Sequence, residues 1–220
     1  ESEEEVDVDP DSLLPPTPPD SDVADDVGSD GEPKPPPVTA KLFMLPRDYR
    51  AIMEIEVIQG SKEVNIRKIG KEMGPAKGKF VHSARARNTT NFYCVPYGFP
   101  YVLEIDPILS KWRPIGGTMA EGVEDHKYTS AVVCGNWHGR LYAAPCRAKR
   151  VLEIDPDKGT AREVGPVLGS TEDSKWYAIS SSPRGRIYAI PYDAHKVLEI
   201  DPTRNGAARE IGPDLGIMRR

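Results

Sequence analysis

One six-residue segment, Val-Leu-Glu-Ile-Asp-Pro, occurs three times, at Val102–Pro107, Val151–Pro156 and Val197–Pro202, and a degraded copy lies at Ile52–Val57. A proline stands eight residues before the first glutamate of each copy. These prolines, which are 50, 49 and 46 residues apart, are Pro46, Pro96, Pro145 and Pro191. Internal repetition with a period of this size is typical of repeat arrays and propellers. The repeat therefore constrains the fold strongly, but it leaves the ligand open.

Each repeat contains four short apolar runs separated by turn residues. In the third repeat these runs are Ser130–Cys134, Leu141–Ala144, Val151–Asp155 and Ala161–Val164. The fourth repeat follows the same plan with Trp176–Ser180, Ile187–Ile190, Val197–Asp201 and Ala208–Ile211. Runs of four to six residues rich in Val, Ile and Tyr and bounded by Gly, Pro and Asp predict strands in antiparallel hairpins.

Four-stranded units of this length predict an all-β fold, a β-propeller of four-stranded antiparallel blades. We expect about four blades within residues 41–220, near 41–74, 79–117, 127–169 and 175–216. The first blade is incomplete, because its first strand would fall on Glu32–Pro36, where prolines prevent a ladder. We therefore expect the ring to be completed by missing sequence or by another copy of the chain.

The segments Gly-Arg-Leu-Tyr-Ala-Ala-Pro and Gly-Arg-Ile-Tyr-Ala-Ile-Pro, each followed by Val-Leu-Glu-Ile-Asp-Pro, resemble kelch and YVTN/WD40-type propeller repeats. The resemblance covers roughly residues 41–216. The chain departs from kelch repeats in lacking a double-glycine strand in each blade, and from WD40 repeats in having Ile-Asp near the place of Trp-Asp. The resemblance implies the architecture and leaves the function open, since propellers host enzymes, receptors and scaffolds.

Residues 1–40 form an acidic, proline-rich tail. They hold thirteen Asp or Glu against one basic residue, a net charge of −12, and nine of the 22 prolines. Residues 41–220 hold 21 acids and 28 bases, a net charge of +7. Such a tail buries too little apolar surface to offset its ordering entropy, so we expect it to be disordered. It either contacts the basic body or serves only as a solubilising linker.

A short motif in the tail suggests modification. The stretch Leu-Pro-Pro-Thr-Pro-Pro-Asp-Ser at 14–21 resembles a phosphodegron, in which phosphorylation at Thr17 and Ser21 would create a ligand for an arginine-rich propeller. The alternative is that the motif arises by chance in a proline-rich segment.

The loops between the second and third strands differ most among the repeats, and in propellers they open at the channel mouth beside the inter-blade loops. Their aromatic and basic residues are types common in binding hot spots. The candidate binding residues are Tyr49, Arg50, Tyr97, Phe99, Arg147, Lys149, Tyr192 and His195. The inter-blade loops add Glu121, Glu124, Asp125, His126, Glu172 and Asp173. The alternative is that these are solvated loop tips.

Three kinds of side chain recur at equal positions and each has two interpretations. The aspartates Asp106, Asp155 and Asp201 cap turns or surround a metal, and we favour turns. The glutamates Glu104, Glu153 and Glu199 pair with basic residues of a neighbouring blade or line a shared surface. The pairs Lys79-Phe80, Lys127-Tyr128 and Lys175-Trp176 pack between blades or form a stacking platform, and we favour packing.

We therefore expect a non-catalytic binding or scaffold module with a protein partner and without metal or cofactor, because no catalytic or metal-ligand spacing stands out. The first alternative is a metal-dependent hydrolase of the propeller lactonase class. The second is nucleic-acid or polyanion binding by the basic body. Three cysteines at no ligand spacing predict reduced thiols and a cytoplasmic location, with an upstream targeting segment left open. No apolar run is long enough to span a membrane.

Overall fold

A computed structural model of the chain describes residues 39–87, 89–133 and 139–216. These residues form fifteen strands in four antiparallel sheets, together with one turn of 3₁₀ helix at Pro202–Arg204. The described residues contain no helix that is long and apolar enough to cross a bilayer. The predicted all-β propeller fold is confirmed. The predicted disordered tail and its two phosphorylation sites lie outside the described residues.

Blade 1 has three strands. They are β1 (Thr39–Met44), β2 (Ile52–Ile58) and β3 (Val64–Ile69), in spatial order β1-β2-β3. Pro46 follows β1 as Pro96 ends the second strand of the next blade, so β1 is a second strand and the innermost position has no partner among the described residues. The segment Glu32–Pro36, where we placed the missing strand, lies outside the part of the chain that the structure describes.

Blades 2, 3 and 4 each have four strands in sequential order. Blade 2 consists of β4 (Phe80–Arg85), β5 (Phe92–Pro96), β6 (Val102–Asp106) and β7 (Lys111–Ile115). Blade 3 consists of β8 (Tyr128–Val133), β9 (Leu141–Pro145), β10 (Val151–Asp155) and β11 (Thr160–Val164). Blade 4 consists of β12 (Trp176–Ser181), β13 (Ile187–Pro191), β14 (Val197–Asp201) and β15 (Ala207–Ile211). The first strands β4, β8 and β12 are neighbours, as the inner strands of a propeller are.

The hydrophobic core lies between blades, because both faces of a propeller sheet are covered. We call the face of a blade that packs on the preceding blade its leading face, and the opposite face its trailing face. Between blades 2 and 3, Val95 and Ile115 of the trailing face meet Leu152 and Ile154 of the leading face. The other two junctions repeat this arrangement, with Ile52, Ile69 and Met73 against Cys94, Leu103 and Ile105, and with Tyr142, Val151 and Val164 against Ile187, Leu198 and Ile200.

The repeated glutamates are held within their own blades. Glu104 accepts hydrogen bonds from the Tyr93 hydroxyl at 2.9 Å and from Arg113 Nε at 2.6 Å, on the two strands that flank it. Blades 3 and 4 repeat the triad as Tyr142, Glu153 and Arg162 and as Tyr188, Glu199 and Arg209. This corrects the expected pairing with a neighbouring blade. Direct cross-strand neighbours on one face of a sheet are closer than residues of the next blade.

The repeated aspartates and aromatic residues have the structural roles that we favoured. Asp106 accepts from the backbone N–H groups of Ile108 and Leu109, both at 2.9 Å. Asp155 and Asp201 cap the equivalent turns. The aromatic rings at the starts of the first strands, Phe80, Tyr128 and Trp176, are fully buried, which excludes a stacking platform.

Candidate functional site

Backbone hydrogen bonds between blades bring the inter-blade loops against the loops between second and third strands. Lys127 N donates to the Tyr97 carbonyl at 3.0 Å, and Lys79 N and Lys175 N make the same contact with the preceding blades. The residue before Lys127 is therefore placed beside the side chain of Tyr97. That residue is His126.

Four side chains meet at this position, and we call them the mouth cluster: Tyr97, Asp125, His126 and Arg147. The Tyr97 hydroxyl is hydrogen-bonded to His126 Nε2, and the two rings lie 4.4 Å apart. Asp125 Oδ1 is 3.2 Å from His126 Nδ1 and accepts from Arg147 Nη1 at 2.8 Å. The Tyr97 phenol thus contacts an imidazole whose other ring nitrogen lies beside a carboxylate, an arrangement suited to moving a proton.

The backbone of His126 is in the left-handed region, with φ of 53°. This conformation costs a non-glycine residue about 1–2 kcal/mol. The Arg147 N–H group donates to the His126 carbonyl at 2.8 Å and helps to hold it. Strained backbone that the surrounding structure maintains is frequent at functional sites.

Burial raises the pKa of the Tyr97 phenol, and the nearby Asp125 carboxylate raises it further. Both effects disfavour the phenolate, so Tyr97 keeps its proton at neutral pH and can donate it.

Two buried nitrogen atoms of the mouth cluster have no hydrogen-bond partner, His126 Nδ1 and Arg147 Nε. Asp125 is close to His126 Nδ1, but it does not satisfy hydrogen-bond geometry. Unsatisfied buried polar atoms cost stability, and binding or proton transfer is one reason for which a protein retains them.

Of the candidate binding residues, the structure brings Tyr97 and Arg147 together. Tyr192 lies in the corresponding loop of blade 4 and packs on Tyr177, with ring centroids 5.6 Å apart. Phe99 packs on the buried Phe80 ring at 5.1 Å and belongs to the core between blades 1 and 2.

The remaining four candidates make other contacts. The exposed Tyr49 ring is 6.0 Å from Lys68 Nζ, and His195 Nδ1 is 3.1 Å from Asp214 Oδ2. Arg50 and Lys149 fix their loops through backbone carbonyls, which accept from Met73 N and Leu168 N.

Sequence reasoning missed the importance of His126, because it weighed the histidines by blade position and ligand spacing. The available signal was its place one residue before the repeated lysine, which meets the preceding loop in every junction. His82, in the first strand of blade 2, accepts from Ala131 N at 3.2 Å, so its Nδ1 atom is unprotonated. Burial lowers the pKa of His82.

A metal-dependent site was part of the first alternative function. Among the described residues, no group of three His, Cys, Asp or Glu side chains is arranged to hold a metal ion.

Comparisons with known proteins identify the fold and not the family. No protein-family profile matches the chain, and no curated protein matches it. Virginiamycin B lyase from Staphylococcus aureus superposes with a TM-score of 0.56 at 11% identity, covering 84% of this chain and 53% of that chain. A candidate 6-phosphogluconolactonase from Bacteroides uniformis gives 0.59 at 14% identity, covering 87% and 53%. An auxiliary nutrient binding protein from Bacteroides ovatus gives 0.51 at 12% identity, covering 80% and 40%.

The chain therefore spans about half the length of these solved structures. Two of them bear the names of enzymes, a lyase and a candidate lactonase. The expectation of a non-catalytic binding or scaffold module is wrong on this comparison. At such low identity the likeness itself extends only to the fold.

Proposed function

We propose that the mouth cluster supplies the acid–base group of a catalytic propeller that hydrolyses a lactone, an internal ester. The observation that carries the proposal is the hydrogen bond between the Tyr97 hydroxyl and His126 Nε2, with Asp125 Oδ1 3.2 Å from His126 Nδ1. A proton-transfer group of this kind is what ester hydrolysis requires. The similar fold of the candidate 6-phosphogluconolactonase supports the choice of a lactone.

In the proposed reaction, water adds to the carbonyl carbon of the lactone and the ring C–O bond breaks. The Tyr97 hydroxyl takes the proton of the attacking water while it passes its own proton to His126 Nε2. The nearby Asp125 carboxylate stabilises the resulting imidazolium. The proton returns by the same route to the alkoxide leaving group, so that one water and one lactone give one hydroxy acid.

Arg147 has two tasks in this proposal. Its Nη1 atom holds Asp125 in place at 2.8 Å. Its unpartnered Nε atom is a donor for the negative oxygen that develops when water attacks. Because the chain spans about half the length of similar propellers, we expect further substrate contacts to come from the rest of a complete ring.

The test measures the hydrolysis of glucono-δ-lactone and 6-phosphoglucono-δ-lactone. The rate of acid release is compared with the uncatalysed rate in buffer. We expect Tyr97→Phe and His126→Gln each to lower kcat by about 100-fold or more, the usual contribution of a general acid or base. Tyr101→Phe is the matched control, because this partly exposed tyrosine lies outside the mouth cluster. A wild-type rate equal to that of buffer with both lactones, or an unchanged rate in His126→Gln, would falsify the proposal.

The repeat type and the cellular location stay predictions. The kelch or WD40-type assignment rests on the resemblance alone. The cytoplasmic location is supported by Cys94 and Cys146, which are both buried free thiols, the form expected in a reducing compartment.

A further inference from the structure

Within the described residues, the blade array ends in two apolar sheet faces that no blade covers. Each of the three junctions joins one trailing face to one leading face, so four blades leave one face of each kind over. These are the leading face of blade 1 and the trailing face of blade 4.

The trailing face of blade 4 presents large apolar side chains to solvent. Leu215 is 55% exposed, whereas the equivalent Met73, Met119 and Leu168 are at most 9% exposed. Their equivalence is fixed by the same backbone bond to the loop between second and third strands in every blade. Ile190 is 60% exposed, whereas the equivalent Val95 is completely buried.

The leading face of blade 1 shows the same contrast. Leu42 and Met44 of β1 are each 55% exposed. Their equivalents in blade 3, Leu141 and Ala143, are completely buried against blade 2. Ile66 of β3 is also exposed, while the equivalent Ala161 is buried. Several large apolar side chains exposed on one sheet face indicate an interaction site.

The space around the glycine after each fourth strand depends on whether another blade packs against it. A Cβ atom on Gly116 would lie 2.5 Å from the Ala161 carbonyl oxygen of blade 3, and one on Gly165 would lie 2.5 Å from the Gly206 carbonyl oxygen of blade 4. A Cβ atom on Gly212 of blade 4 would meet nothing within 4 Å. Gly212 thus has the positive φ of a junction glycine, 79°, but none of the described blades packs against it.

We propose that these two faces bind each other between two copies of the chain, head to tail, so that two copies close one propeller. The chain itself shows the complementarity three times, since every leading face fits a trailing face with the same residue pattern. Two copies bring eight sheets together, because each brings four. Closed propellers have about four to eight blades. Two copies also have about the length of the similar solved propellers, because one copy of this chain covers 53% of each.

A polar contact is expected at the same interface. The fourth-strand arginine of a blade reaches the turn of the next blade, as Arg67 Nη2 does at Ser110 Oγ, 2.9 Å away, and Arg162 Nη2 at Asn205 Oδ1, 2.8 Å away. In blade 4 the equivalent Arg209 is largely exposed beyond its bond to Glu199. On a second copy, the turn position equivalent to Ser110 and Asn205 is Gly60. A Cβ atom there would meet nothing within 4 Å, so Arg209 has room to approach it.

The test is sedimentation of the full 220-residue chain at micromolar concentration, where we expect a dimer. Ile190→Asp alters the trailing face and Met44→Asp alters the leading face, and each variant alone should be a monomer. Mixing the two variants should restore a dimer, because the leading face of one and the trailing face of the other are unaltered. Ile108→Asp, at a highly exposed turn outside both faces, is the control and should remain a dimer.

Circular dichroism of each variant checks that it keeps the strand content of the parent chain. A monomeric parent chain overturns the proposal, since the faces would then be covered by something other than a second copy. A dimer that only one of the two substitutions disrupts also overturns it, because a face would then pair with itself.

Discussion

A buried lysine directly precedes the first strand of each complete blade. Lys79 Nζ donates to the Tyr49 carbonyl at 3.1 Å and Lys127 Nζ to the Phe99 carbonyl at 3.3 Å, while Lys175 Nζ donates to the Ser170 carbonyl. Burial lowers the pKa of all three ammonium groups, and that of Lys175 falls to about 8. These lysines tie the start of a blade to the loops before it, and they do so at a cost in desolvation.

Lys175 should therefore make stability depend on pH. Its folded pKa of about 8 is below the ordinary value of 10.5, so above pH 8 the unfolded chain binds more protons than the folded chain. The free energy of unfolding should then rise between about pH 8 and pH 10, and the cost of the buried charge should be complete below pH 8. Urea unfolding of Lys175→Met should show a flatter rise than the parent chain over this window. Lys62→Met, at an exposed position, is the control, and an equally steep rise in Lys175→Met would contradict the argument.

At the scale of elements, the turn after each fourth strand decides how closely the next blade can pack. Gly165 has φ of 74° and its Cα faces the Gly206 carbonyl of blade 4. Only glycine combines this backbone conformation with such a close approach. The Ile or Val-Gly pair at the end of each repeat is thus a packing requirement between blades as well as a turn signal.

Alanine substitution at two of these glycines separates the two effects. Gly165→Ala and Gly212→Ala both carry the backbone cost of about 1–2 kcal/mol for a left-handed residue. Gly165→Ala must also displace the Gly206 carbonyl, so it should lower the free energy of unfolding by more than Gly212→Ala. Both substitutions are best compared in the Ile190→Asp variant, because a dimer would bring a second copy against Gly212 on the trailing face of blade 4. Equal losses of unfolding free energy in urea would mean that the Gly206 carbonyl does not obstruct a Cβ atom at Gly165.

At the scale of the whole molecule, charge is divided between two parts of the chain. Residues 1–40 carry a net charge of −12 and residues 41–220 a net charge of +7. Weak contacts between exposed charges act together only when many are made, and salt screens them. A tethered acidic segment can act as an intramolecular competitor for anionic ligands of the body.

Deletion of residues 1–40 tests this competition. If the acidic segment contacts the body, the truncated chain should elute from heparin at clearly higher salt than the full chain, and the difference should vanish when loading is done at high salt. The control is a variant with the acidic residues of 1–40 replaced by asparagine or glutamine, which keeps the length and removes the charge. Identical binding by full and truncated chains at low salt would assign the segment a linker role only.

The sequence by itself determined the fold class and the strand positions. Short apolar runs, turn prolines and glycines act within a few residues of each other, so the repeat placed β9, β10, β13 and β14 to within a residue of their observed ends. It also predicted the turn role of Asp106, since an aspartate and the N–H groups that it accepts from lie on one short segment.

Only the tertiary structure decided which residues meet across blades. His126 and Tyr97 are 29 positions apart and touch because blade 3 docks on blade 2. The docking of blade 2 on blade 1 likewise places Phe99 in the core, whereas Ile190 lies on the last blade and stays 60% exposed. Period and propensity describe one strand and its nearest neighbours, whereas a site at a blade junction depends on the packing of two sheets.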